Sequence, residues 1–99
     1  MNSTILNKAI YHAEEIKHSK IDTENHIIEI PFGSSVTKED LLSEGMLGEW
    51  YKNNGFDISF RKGDYEYQTK GNWLNYRART RSKGHTAYLR NRLILTVTW

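Results

Sequence analysis

The chain has 99 residues, no cysteine and a formal net charge of +2. Without cysteine it cannot use disulfides, thiol chemistry or a cysteine-based zinc site. A chain of this length is expected to fold as one domain over residues 1–99, with a core too small to enclose a cofactor. Charged side chains interrupt the first twenty residues, and no apolar run approaches the ~20 residues of a membrane span. We therefore expect a cytoplasmic protein with no membrane contact.

The charges are distributed unevenly along the chain. Residues 1–60 contain five lysines against ten acids, whereas residues 61–99 contain nine lysines and arginines against two acids. Such a division is typical of a chain whose basic half faces a polyanion. The alternative is that the two halves neutralise each other within the fold.

The first half predicts one helix followed by a strand. Residues 3–18 place apolar side chains at helical spacing, and Ser3 or Thr4 would cap the start of that helix. Residues 21–26 predict a polar connection, and residues 27–32 predict a strand. Because Pro31 has no backbone N–H, this strand is expected to lie at a sheet edge or to end there.

A second helix is predicted to begin after Thr37. Thr37 and Asp40 have the spacing of a capping box, and residues 53–55 contain the Asn and Gly that end helices. Gly45 and Gly48 lie inside the predicted helix, where each costs about 1 kcal/mol relative to alanine. They either allow close packing on the sheet or split the helix.

From Phe56 onward the apolar residues recur with a period of two. Three Lys–Gly pairs, at 62–63, 70–71 and 83–84, predict hairpin turns that keep one apolar face in register. The predicted fold is therefore α+β with two layers. Two helices would pack on one face of a four- to five-stranded antiparallel meander, in the order α-β-α-β-β-β-β.

The outer face of this predicted sheet is cationic and aromatic. In this register Arg77 faces Arg90, and like charges opposite each other destabilise a sheet, so a negative partner is expected there. Asp64 would share a row with both arginines, and Trp73 would share an exposed row with Ile94. The candidate binding residues are Trp73, Arg77, Arg79, Arg81, Lys83, Tyr88, Arg90 and Arg92.

These features favour a small non-enzymatic binding protein. Cations would follow the phosphates of RNA or single-stranded DNA while aromatic rings stack on bases. The same residues would also suit an acidic protein surface or the machinery that handles nucleic acid. A second hypothesis is an inhibitor or adaptor, of the kind that a phage or mobile element encodes against a host protein. Trp73 and Ile94 would equally suit a homodimer contact.

An enzyme is the third hypothesis. His85, near Arg81, Lys83 and Tyr88 in the predicted turn, would act in acid–base catalysis on an RNA phosphodiester. No carboxylate is placed in the sequence to orient this histidine. The four histidines lack metal-ligand spacing, and no phosphate-loop, dinucleotide or hydrolase motif is present. We therefore expect neither a metal nor a cofactor.

Overall fold

Three helices and a four-stranded antiparallel sheet make up the described part of the chain, residues 2–68 and 86–99 of a computed structural model. The sheet has the strand order β1-β2-β4-β3. This confirms the α+β class with helices on an antiparallel sheet. The elements are α1 (Ser3–Glu14), β1 (Lys20–Asp22), β2 (Ile27–Phe32), α2 (Lys38–Leu42), α3 (Leu47–Asn53), β3 (Asp57–Gln68) and β4 (Thr86–Thr98).

The first helix is shorter than predicted and has a different cap. The Asn2 side chain accepts a hydrogen bond from the backbone N–H of Thr4 at 2.7 Å, so Asn2 is the cap instead of Ser3 or Thr4. The helix ends at Glu14, and His18 then adopts a left-handed backbone with φ 69°. This turn redirects the chain into β1, a short strand that overlaps the start of the segment predicted as a connection.

Strand β2 has the predicted bounds and explains the position of Pro31. β1 pairs with residues 27–29 only, whereas β4 pairs with the whole of β2, so Pro31 has a neighbouring strand on one side, at Ile94. A residue without a backbone N–H is tolerated at such a local edge. Because β2 as a whole is an inner strand, the prediction of an edge strand is wrong. The alternative, that the strand ends at Pro31, holds to within one residue, since β2 ends at Phe32.

The predicted second helix is split in two. The Thr37–Asp40 capping box is present, but α2 ends at Leu42 and α3 begins at Leu47, so residues 43–46 form a break between the two helices. Gly45 has φ +80°, which favours glycine at the break. At Gly48 a Cβ atom would lie 2.6 Å from the backbone oxygen of Leu41, so glycine also allows the two short helices to pack closely.

The main core lies between the helices and one face of the sheet. Tyr51 is fully buried there, and its hydroxyl donates a hydrogen bond to the Ala9 carbonyl at 2.7 Å, which ties α3 to α1. The buried members of this core are Ala9, Ala13, Ile28, Ile30, Tyr51, Phe56, Leu95 and Val97.

The predicted hairpin at Lys62–Gly63 is wrong, because β3 runs unbroken through both residues. Lys62 pairs with Leu93 and Gly63 with Arg92 on β4. Residues 57–68 and 86–98 therefore form one long two-stranded ribbon. The meander order predicted from residue 56 onward is replaced by direct pairing of β3 with β4.

A β-bulge interrupts this ribbon near its middle. Gly63 pairs with Arg92 and Tyr65 pairs with Leu89, so Asp64 alone faces two residues of β4, Arg90 and Asn91. Asn91 has φ 54°. An extra residue in one strand bends the ribbon and increases its twist.

The two halves of β3 bury opposite faces. In the first half the even-numbered residues Ile58 and Phe60 pack against the main core, whereas in the second half the odd-numbered residue Tyr65 is buried. Even-numbered and odd-numbered residues of one strand point to opposite faces. The Tyr65 hydroxyl lies 2.7 Å from the His18 carbonyl oxygen and 3.4 Å from that of Glu29. The distal half of the ribbon (residues 63–68 and 86–92) therefore folds over the sheet face that the helices leave open.

The two further predicted turns, at 70–71 and 83–84, and the predicted strand between them lie outside the described residues.

Candidate nucleic-acid interface

The eight predicted binding residues divide between the described and the remaining parts of the chain. Tyr88, Arg90 and Arg92 lie on β4. The catalytic candidate His85 lies outside the described residues, and so do five of the eight binding candidates: Trp73, Arg77, Arg79, Arg81 and Lys83.

Tyr88 and Arg90 form an exposed pair on the distal half of the ribbon. Tyr88 is 54% exposed, and the Arg90 guanidinium carbon lies 5.8 Å from the centroid of its ring, within the range of a cation–π contact. Tyr88 pairs with Glu66 across the ribbon. An aromatic ring is therefore presented to solvent with a guanidinium beside it.

Asp64 neutralises Arg90 at the bulge. Its carboxylate accepts a hydrogen bond from Arg90 Nη1 at 3.0 Å and another from the Asn91 backbone N–H at 3.1 Å. The sequence predicts one row for Asp64, Arg77 and Arg90, whereas the direct pairing of β3 with β4 brings Asp64 and Arg90 into contact. Both side chains are largely exposed, so the pair stabilises the fold by only about 0–1 kcal/mol.

Arg92 lies on the opposite face of the ribbon from Arg90. The bulge shifts the alternation by one residue, so the predicted single face for both arginines is wrong. Arg92 is half-buried, and its buried Nε has no hydrogen-bond partner among the described residues. The predicted exposure of Ile94 is also wrong, because Ile94 is fully buried on this face.

A second cluster, which the sequence did not predict, holds the distal half of the ribbon in place. The His18 ring stacks on Tyr67 with centroids 4.0 Å apart, and Lys20 Nζ lies 4.9 Å from the centroid of the Tyr65 ring. Lys20 also reaches the Glu29 carboxylate at 3.9 Å. The available signal was the pair of tyrosines at odd positions after Gly63, which the hairpin prediction assigned to the helix-facing side.

The surroundings of this cluster favour the neutral forms of His18 and Tyr65. Partial burial, together with the positive charges of Lys17 and Arg92, holds the pKa of His18 below its ordinary value. Burial, aided by the negative charge of Glu29, raises the pKa of the Tyr65 hydroxyl. Tyr65 therefore remains a neutral hydrogen-bond donor.

Charge is divided between the described part of the chain and the stretch that joins β3 to β4. All twelve acids belong to the described residues, where nine lysines and arginines accompany them. Residues 69–85 contain five bases, two aromatic residues and no acid. Both ends of that stretch meet the distal half of the ribbon, at Gln68 and Thr86.

Within residues 2–68 and 86–99, no group of three His, Asp or Glu side chains is arranged to hold a metal ion. None of the three described helices is long and apolar enough to cross a membrane. Comparisons with protein-family models, curated proteins and solved structures found no match to this chain.

Proposed function

We propose that this chain is a non-enzymatic protein that binds RNA or single-stranded DNA. The contact surface would combine the exposed Tyr88–Arg90 pair with the basic stretch 69–85. The supporting observation is the exposure of Tyr88 beside a guanidinium, three residues after the end of a stretch with five bases and no acid. The proposed role is non-enzymatic because the sequence prediction places no carboxylate where it would orient His85 for acid–base catalysis.

The chemistry of this surface matches that of a single strand. Unpaired bases stack on exposed aromatic rings, and each stacked base contributes about 1–3 kcal/mol to binding. Tyr88 supplies such a ring on a paired strand. The bases of residues 69–85 supply the charge that attracts phosphates, because the described cations are outnumbered by acids.

Duplex nucleic acid fits this surface less well. The bases of a duplex are stacked on one another, so an exposed tyrosine ring gains little from contact with them. We expect tighter binding to single-stranded RNA or DNA than to duplex DNA of the same length at the same salt concentration.

The test is a binding assay with labelled single-stranded RNA, single-stranded DNA and duplex DNA. Tyr88→Ala should weaken single-strand binding by about tenfold, because it removes one stacking platform. Arg79→Glu and Arg81→Glu should weaken binding to all three probes, because they place negative charge near phosphates. Lys8→Glu is the matched control, since it makes the same charge change per residue on the exposed surface of α1.

Two results would contradict the proposal. The first is equal affinity of the wild-type protein and the Arg79→Glu, Arg81→Glu double variant for single strands. The second is unchanged single-strand binding by Tyr88→Ala. Circular dichroism of each variant establishes that the fold is intact.

The second candidate is an inhibitor or adaptor that binds a protein. The excess of acids over bases in the described residues supports it, because an acidic surface can occupy a basic groove on a target. A stoichiometric protein partner retained from nuclease-treated lysate, together with no affinity for any of the three probes, would favour this candidate.

A further inference from the structure

A groove of about 620 Å³ lies where the two short helices meet β3. Lys38 of α2 and Lys52 of α3 lie on the helical side. The apolar part of the lining comes from both sides and consists of Leu42, Phe56, Ile58 and Phe60. Phe56 is buried, whereas the other three are only half-buried and keep part of their apolar surface open to the groove.

The groove follows the edge of β3. Residues 56–60 all line it, without a gap. Alternate residues of a strand point to opposite faces, so a groove on one face would be lined by every second residue. Lining by five consecutive residues means that the backbone edge of the strand borders the groove.

That edge has no partner strand within the described residues. The sheet order places β3 at the end of the sheet, with β4 on its one paired side. An edge strand has backbone N–H and C=O groups that point away from the sheet, and an added extended chain can pair with them. The groove would accept every second side chain of such a chain.

The charges bordering the groove select the occupant. Lys38 and Lys52 are both exposed, and Asp57 is the one acid among the groove residues. We propose that this groove binds an extended peptide of alternating apolar and acidic residues, which adds a strand to the β3 edge. Its apolar side chains would contact Ile58 and Phe60, and its carboxylates would lie near the two lysines.

This site is separate from the Tyr88–Arg90 pair. Phe60 pairs with Leu95, whereas Tyr88 pairs with Glu66, six residues further along β3. At about 3.3 Å per residue this is roughly 20 Å of strand. A nucleic acid is also a poor occupant, because it cannot complete the backbone pairing of a strand edge.

The test is selection of peptides by the full chain from a displayed library of random short linear sequences. We expect enrichment of sequences that alternate apolar residues with Asp or Glu. The Lys38→Glu, Lys52→Glu double variant should bind a selected peptide about tenfold or more weakly, because it reverses the complementary charge. A copy of that peptide with alternate backbone nitrogens methylated should lose binding, because it cannot pair with β3.

The control variant for this test is Lys8→Glu, which should bind the selected peptide as the wild type does. The proposal is overturned if the library yields no enrichment or yields basic sequences. It is also overturned if the double variant or the methylated peptide retains full affinity. Nucleic-acid binding by the double variant is measured separately, so failure of one proposal is distinguishable from failure of the other.

Discussion

Tyr65 shows how a single hydroxyl connects distant parts of the fold. Its ring is fully buried, and its O–H donates to the His18 carbonyl, which lies just before β1. A hydrogen bond of this kind contributes about 0.5–1.5 kcal/mol to stability. Tyrosine therefore suits this position better than phenylalanine, because it holds the distal half of the ribbon against the start of the sheet.

His18 belongs to the same contact. Its left-handed backbone turns the chain from α1 into β1, and its ring stacks on Tyr67. Partial burial, followed by the positive charges of Lys17 and Arg92, lowers the pKa of the imidazole. The stacked arrangement therefore favours the neutral ring.

We predict that protonation of His18 destabilises the fold. Because the folded-state pKa lies below the ordinary value of 6.5, the unfolded chain binds a proton more readily. The contribution of His18 to the free energy of unfolding is then fully present above pH 6.5 and decreases as the pH falls from 6.5 toward the folded-state pKa. His18→Asn, which tolerates the left-handed backbone, should remove this part of the pH dependence.

Urea unfolding of both proteins between pH 5 and pH 8 checks this prediction. The wild type should lose stability on the acid side more steeply than His18→Asn does. Identical pH dependence in the two proteins would contradict it, as would an NMR titration of the His18 ring with a pKa above 6.5.

At the scale of elements, the bulge determines which surfaces the ribbon presents. Without it, Arg90 and Arg92 would share one face, and the distal half of β4 would bury the same side as the half near the helices. With Arg90 and Asn91 both opposite Asp64, Leu89 is turned toward the side that Tyr65 buries. The odd-numbered apolar residues of β4, interrupted at Asn91, therefore serve two opposite faces.

We predict that the left-handed backbone at Asn91 is required for this bulge. Asn91→Gly should change the free energy of unfolding by less than about 0.5 kcal/mol, because glycine adopts positive φ without strain. Asn91→Val should cost about 1–2 kcal/mol, because a β-branched residue is strained at φ 54°. Urea unfolding of the two variants side by side checks this, and equal stability of the two would contradict it.

The sequence predicted those elements whose signals are local. The capping box at Thr37 and Asp40 and the strand at 27–32 needed only neighbouring residues, and both are present. The division of the second helix at Gly45 was an open alternative, because a glycine can either end a helix or permit close packing. The contact between Gly48 and Leu41 depends on how α2 and α3 meet, which spacing alone does not determine.

The long ribbon was mispredicted for a definite reason. The burial of β3 changes from even positions, such as Phe60, to odd positions, such as Tyr65. Such a change is expected from a hairpin at Lys62–Gly63, but a continuous strand that passes from one core to another produces the same pattern. The difference depends on contacts with residues such as His18, which lie far away in the sequence.

The candidate site was predictable only in part. The exposure of Tyr88 follows from simple alternation, whereas the contact of Arg90 with Asp64 depends on the direct pairing of β3 with β4. Arg92 and Arg90 lie on opposite faces because of the bulge. The extra residue of a bulge has no distinctive sequence signal when asparagine occupies the left-handed position.

At the scale of the whole molecule, one ribbon bears both proposed binding surfaces. Its half near the helices contributes to the main core and forms the edge of the groove at residues 56–60. Its distal half presents Tyr88 and leads into the basic stretch 69–85. The acids of the described residues would repel a polyanion from the rest of the surface and restrict it to this end.

This charge division leads to a quantitative prediction for salt dependence. Each phosphate that a single strand contributes to binding lowers the slope of log K against log salt concentration by about 0.7. If the five bases of residues 69–85 each neutralise one phosphate, the slope should be about −3.5. Arg90 makes this slope steeper only if its guanidinium leaves Asp64 and binds a phosphate instead. The slope would then be about −4.

Asp64→Asn separates these two cases, because it frees the Arg90 guanidinium without removing it. The variant should bind single strands more tightly at low salt and show the steeper slope. Fluorescence anisotropy over a range of salt concentrations measures both quantities. A slope near zero for the wild type would show that phosphates are not the contact, and the basic stretch would then have to serve a protein partner.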